Sequence, residues 1–133
     1  MRQVLFVLSG TVTRGAGLGR KLGFPTANLD RREYARGKLY ITFGVYAGTA
    51  AVSDTQKKYR AGIVIGPIDK SGLPKIEAHL LDFSGRLYGK KVSLFLIRYL
   101  RPYKTFKTAD ALKKQIMEDL ERVRRRIWRG LLR

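Results

Sequence analysis

The chain has 133 residues, 44% of them hydrophobic, and sets 28 basic against 10 acidic side chains for a net charge of +18. That length and apolar content predict one globular domain, residues 1–133. There is no cysteine and one histidine, His79, which excludes disulfides, thiolate metal sites and a nitrogen-ligated zinc, so any metal must be held by oxygen.

Val4 to Val12 opens the chain as an apolar, β-branched run that reads as a strand. Its start, Val4 to Leu8, is too short for the apolar core of a signal peptide, and no later apolar run is long enough to cross a bilayer. A cytoplasmic protein with no membrane partner is therefore expected. Next comes Gly15 to Asn28, GAGLGRKLGFPTAN, the most informative stretch. Gly15, Gly17 and Gly19 let the backbone turn N–H groups toward an anion, and Arg20 and Lys21 add charge. Neither a P-loop nor a dinucleotide fingerprint is present, and a glycine loop alone reads equally well as a flexible hairpin. Pro25 shifts the balance. It fixes the local backbone, and an extended Phe24–Asn28 sends Thr26 and Asn28 to one side, where both oxygens can meet one ion. Magnesium keeps several waters and takes its negative ligands from phosphates, so a hydroxyl and an amide oxygen suffice and no acidic cluster is needed. The plainer alternative is that Thr26 and Asn28 satisfy a turn.

Asp30 to Lys38 reads as a polar loop, and apolar runs resume at Val45–Val52, Ala61–Ile65, Ile76–Phe83 and Val92–Leu100. Asp69–Pro74 and Ser84–Gly89 are turn signals. Within Ile76–Phe83, period-two alternation puts Glu77 and His79 on one face and Asp82 on the other, so the two carboxylates are not a couple. Glu77 is the best candidate for a general base that takes a proton from a hydroxyl during phosphoryl transfer; on the strand alone, a solvent-facing or lysine-paired carboxylate is the commoner case. His79 is expected to be a wall residue. After Phe106 the period changes. Thr108 can cap a helix in which Leu112, Ile116, Leu120, Val123 and Ile127 share a stripe. Residues 122–133 hold six arginines and no acid, expected to be a solvated helix end. Short antiparallel strands followed by one helix predict a small barrel, mainly β, over about residues 1–105, with a helix over about 108–130.

The segments GTVTRGAGLGRKLGFPTANL, GVYAG, IEAHLLDF, LYGKKV, LRPYKTF and LKKQIMEDLERVR occur in the order found in ATP-dependent riboflavin kinase, which this chain resembles along nearly its whole length. The resemblance implies a six-stranded antiparallel Greek-key barrel with a long C-terminal helix that binds MgATP and riboflavin on either side of the catalytic centre and makes FMN. By position, Gly15, Gly17, Gly19 and Arg20 would contact ATP phosphates, Thr26 the ATP and its magnesium, and Asn28 the magnesium. Glu77 would be the base acting on the ribityl 5′-hydroxyl. Tyr88 would lie near the nucleotide, and Arg101, Lys104 and Phe106 would help hold the flavin. Two departures stand out: Tyr103 replaces the usual acid after the proline of LRP, and Ile63–Pro67 lacks the asparagine many members carry before the isoleucine–glycine pair. The histidine-containing motif of the adenylyltransferase domain that makes FAD is not found, so the product is expected to be FMN. A monomer with no specific nucleic-acid partner is expected. The rival readings are a nucleic-acid-binding barrel, drawing on +18 and on Tyr34, Tyr40, Tyr59 and Tyr103 among the cations, and a flavin-binding module without turnover.

Overall fold

β-Branched and aromatic side chains at alternate positions dictate the strands, and a 3.6-residue stripe dictates the helix. The computed structural model describes residues 4–14, 23–32 and 41–125. It contains β1 (Phe6–Thr13), β2 (Thr26–Leu29), β3 (Gly44–Val52), β4 (Lys57–Ile68), β5 (Pro74–Leu80), β6 (Lys91–Arg101) and α1 (Ala109–Arg125). The strands close a barrel in the order β1-β2-β5-β4-β3-β6, every neighbour antiparallel. β3, β4 and β5 form a meander, while β2 crosses to β5 and β6 returns between β3 and β1. The expected antiparallel barrel with its helix is present, with the sixth strand that the resemblance implied.

Inside the barrel Leu8, Val12, Ala27, Leu29, Ile63, Ile65, Ile76, Ala78, Leu80, Val92, Leu94 and Leu96 form one apolar core. β3 is buried on both faces: Tyr46, Ala50 and Val52 face this core, and Val45 and Ala47 face the helix. Its register against β6 shifts between Ala47 and Gly48. A Cβ on Gly48 would stand 2.0 Å from the Phe95 carbonyl oxygen, so only glycine lets the strands approach there.

Thr108 caps α1 as its position suggested, its Oγ1 accepting the Ala111 N–H at 3.1 Å. Ile116, Leu120 and Val123 are buried and, with Leu112, cover Val45, Val64, Ile97 and Leu100 on the outside of the barrel. Gly62 offers no side chain beneath this contact; a Cβ there would meet Leu120 at 3.4 Å. The stripe residue Ile127 and the arginine-rich end beyond Arg125 lie outside the described residues.

One expectation changes. β5 ends at Leu80, and Asp82, expected within the strand, sits beyond it at φ 59°, a left-handed conformation that a short polar side chain tolerates. Asp82 is exposed and meets Arg60 and Arg124. The segment read as extended supplies β2, a strand of four residues, TANL.

Candidate active site

β2 and β5 build the site from their outward faces. Ala27 and Leu29 point into the core, so Thr26 and Asn28 point out; Ile76, Ala78 and Leu80 point in, so Glu77 and His79 point out. The register pairs Thr26 with His79 and Asn28 with Glu77. Side chains directly opposite in an antiparallel pair share a face with Cβ atoms about 4.5–5.5 Å apart. The hydroxyl, the amide, the carboxylate and the imidazole therefore occupy one polar patch on the outside of the barrel.

A cavity of about 380 Å³ opens on the β2 side of this patch, between Thr13, Arg14 and Phe24–Asn28 on one wall and Phe83–Tyr88 on the other. The Thr26 hydroxyl donates to the Phe24 carbonyl at 2.9 Å, which leaves its oxygen lone pairs to accept from, or ligate, a guest. Arg14 lies over the Tyr88 ring, 5.0 Å from its centroid, so a cation and an aromatic face line the mouth. The loop is tied down where the Gly89 N–H donates to the Val12 carbonyl and Leu87 enters the core. Among the described residues no three acidic or histidine side chains cluster to hold a metal. A hard cation here would rely on the neutral oxygens of Thr26 and Asn28 and on its own phosphates, a donor set that suits magnesium.

A second cavity, about 420 Å³, lies on the β4 side, between the Glu77 face and α1. Val45, Val64, Leu112, Ile116 and Leu120 make it apolar, and residues 103–109 close it. Glu77 and His79 line this cavity. Glu77 is 9% exposed; its Oε1 is 2.8 Å from His79 Nε2 and its Oε2 is 3.4 Å from Lys75 Nζ. Burial pushes the Glu77 carboxyl up, but the contact with His79 and then the charge of Lys75 outweigh it and hold the group below its usual value. Glu77 is thus a carboxylate at neutral pH.

One network braces the wall of this cavity. Asp119, 5% exposed, accepts Arg101 Nε at 2.9 Å and Nη2 at 2.7 Å, and also the Gln115 amide at 3.0 Å. Arg101 Nη1 donates to the Pro102 carbonyl, and Lys104 Nζ to Gln115 Oε1 at 3.3 Å. The end of β6 and the 102–108 segment are thereby fastened to α1.

The structure places Thr26, Asn28 and Tyr88 on the first cavity and Glu77, Arg101, Lys104 and Phe106 on the second. Gly15, Gly17, Gly19 and Arg20 lie outside the described residues. Tyr103 lines the second cavity, and Val64, the residue before the Ile65–Gly66 pair, faces it directly across from Glu77. Tyr103 and the Val64 that stands in place of the asparagine thus fall on the same cavity. Sequence reasoning missed Arg14, Arg86, Asp119 and the contact of His79 with Glu77. Only the last had a signal, the two-residue spacing in one strand.

The riboflavin kinase (flavokinase) family model matches residues 3–127. This chain belongs to the riboflavin kinase family. The human riboflavin kinase is 32% identical over 130 residues, covering 96% of this chain and 84% of that protein. The RNA-binding riboflavin kinase RibR of Bacillus subtilis is 35% identical over 90% of this chain, which spans 50% of its length. Two solved structures share the fold. Riboflavin kinase from Trypanosoma brucei superposes with a TM-score of 0.65 at 22% identity, covering 99% of this chain and 84% of that one. A Streptococcus pneumoniae chain described as a macrolide-efflux protein gives 0.75 at 29% identity, over 90% of this chain and 38% of its own. Thr26 and Asn28 of β2 line the first cavity and Glu77 and His79 of β5 the second, so the polar patch they share lies between the two.

Proposed function

We propose that this riboflavin kinase transfers the γ-phosphoryl group of ATP to the 5′-hydroxyl of riboflavin, giving FMN and ADP. The observation that carries the reading is the register of β2 on β5, which sets Asn28, on one cavity, opposite Glu77, on another of different chemistry. The cavity with Arg14 and the Thr26 and Asn28 oxygens suits a nucleotide polyphosphate and its magnesium; there Gly15, Gly17, Gly19 and Arg20 would meet the phosphates, and Tyr88 the nucleotide. The apolar cavity suits a planar flavin ring, with Phe106 and Lys104 at its entrance and Arg101 held in its wall. Thr26 and Asn28 would hold the magnesium of MgATP, which neutralises phosphate charge. As the 5′-oxygen bonds to the γ-phosphorus, the bond from that phosphorus to the β,γ-bridging oxygen breaks, and Glu77 takes the hydroxyl proton. A carboxylate with a low pKa is a weak base, but phosphoryl transfer depends more on alignment and charge than on early proton removal. The apolar wall of α1 excludes water, which protects ATP from hydrolysis.

The protein is proposed to act in the cytoplasm as a monomer. No helix among the described residues is long and apolar enough to cross a membrane. Chromatography of riboflavin, ATP and magnesium after incubation with the protein tests the activity. FMN should form with the wild type, and Glu77→Gln should lose about 100-fold or more of kcat, a typical loss for a general base, while still binding riboflavin. Absence of FMN from folded protein, with CTP tried as donor as well, would instead favour a binding module. A nucleic-acid-binding barrel would bind with a steep salt dependence unaffected by Glu77→Gln.

A further inference from the structure

His79 is the buried polar group on the catalytic face to which the reading above gives no task. It is 5% exposed, two residues from Glu77 on β5 and opposite Thr26 on β2, and the Phe24 ring stands 6.1 Å from its own, centroid to centroid. Nε2 is 2.8 Å from Glu77 Oε1, yet the oxygen lies off the ring N–H direction, and Nε2 has no aligned hydrogen bond among the described residues. A buried polar atom without an aligned partner is costly, and such atoms persist where they are used. Catalytic hydrogen bonds are often poorly aligned before substrate binds and tighten in the complex. A small rotation about the side-chain bonds of Glu77 or His79 would complete this one.

The other charged groups around Glu77 cannot set its direction. Lys75 reaches Oε2 at 3.4 Å, but its side chain is 40% exposed and flexible, so it supplies charge without a fixed vector. Arg101 and Lys104 line the same cavity, but Arg101 is held by Asp119, and Lys104 donates to Gln115. Asp119 is itself an acceptor, already engaged by Arg101 and Gln115. Among the described residues the imidazole alone is both buried and within reach of a carboxylate oxygen.

We propose that His79 is a positioning residue of the transfer reaction, its Nε2–H holding Oε1 of Glu77 so that Oε2 faces the incoming hydroxyl. This rests on Glu77 being the base. With one oxygen held, the carboxylate plane is set and the other oxygen meets the substrate at a defined angle. Lys75 yields Oε2 to the substrate because its ammonium can move into solvent. Without His79 the carboxylate turns between rotamers and is correctly aimed for part of the time, which costs rate and not affinity.

The test compares His79→Leu, His79→Gln and Glu77→Gln, singly and combined, by steady-state kinetics, riboflavin binding and thermal melting. His79→Leu should lower kcat about 10- to 100-fold, with KM for riboflavin and for MgATP within about twofold of wild type. His79→Gln, whose amide keeps an N–H donor, should recover most of that loss. In the Glu77→Gln background His79→Leu should have no further effect on the residual rate, because it acts through Glu77. A rise in riboflavin KM at unchanged kcat would make His79 a flavin-wall residue and overturn the proposal. Equal losses in Leu and Gln variants, with lowered melting temperatures and additive effects in the Glu77→Gln background, would overturn it as a structural role. Full activity in Glu77→Gln alone would remove Glu77 as the base, a failure distinguishable from that of His79.

Discussion

The two cavities on either side of the β2–β5 patch are held open by different means. The one beside β2 is walled by a four-residue strand and a loop, secured by a few polar contacts: a hydroxyl on a nearby carbonyl, an arginine over a tyrosine, and one backbone bond from Gly89 to Val12. The other is walled by a helix fastened to the barrel through an apolar stripe and through the buried pair of Arg101 with Asp119. The first cavity, proposed for a charged nucleotide, has polar atoms within reach of solvent. The second, proposed for the planar flavin ring, has an apolar wall that α1 supplies.

That contrast predicts which damage spreads and which stays local. The largest effect is expected from Asp119→Asn. Removing one charge of a buried pair leaves Arg101 uncompensated and costs about 3–5 kcal/mol. Denaturant melting should show this loss, and riboflavin KM should rise while MgATP KM in the folded fraction stays near wild type. Asn28→Ala is the counterpart on the other side: a rise of about tenfold in MgATP KM, riboflavin binding intact and little change in melting. If both variants raised both constants alike, the cavities would be one coupled unit.

The pH response belongs to the patch between the cavities. Folding lowers the Glu77 pKa, so its contribution to stability is complete above the ordinary glutamate range and is lost as pH falls through the lowered folded value. The same sign holds for the rate. From about pH 7 to about pH 5, kcat should show no loss traceable to Glu77, and Lys75→Met should move the acid limb upward, as a pH–rate profile will show. The smallest effect is at the start of the helix, where Thr108→Ala should cost about 1 kcal/mol by denaturant melting and affect riboflavin more than ATP.

Much of this was legible from residue order. The shared face of Thr26 and Asn28 was readable because proline and period-two geometry are local, and Glu77 stood out because a carboxylate in an apolar strand is expensive. Asp119 was not legible. It looked like one more acid on a helix surface, and only the docking of α1 against the end of β6 makes it the buried partner of Arg101. Asp82 was misplaced in a strand because hydrophobicity alone does not mark where a chain turns left-handed.

The sequence by itself determined the strands with clear alternation, the capped amphipathic helix, the oxygen-only character of any metal site, and the candidate residues for phosphoryl transfer. These follow from side-chain type and spacing within a few residues. The tertiary structure alone decided that β2 lies beside β5 with Asn28 across from Glu77, that His79 turns toward the carboxylate, and that a helix closes the apolar cavity. Strand order and register are set by closing the barrel around one core, a balance of contacts between residues far apart in the chain that no local pattern encodes.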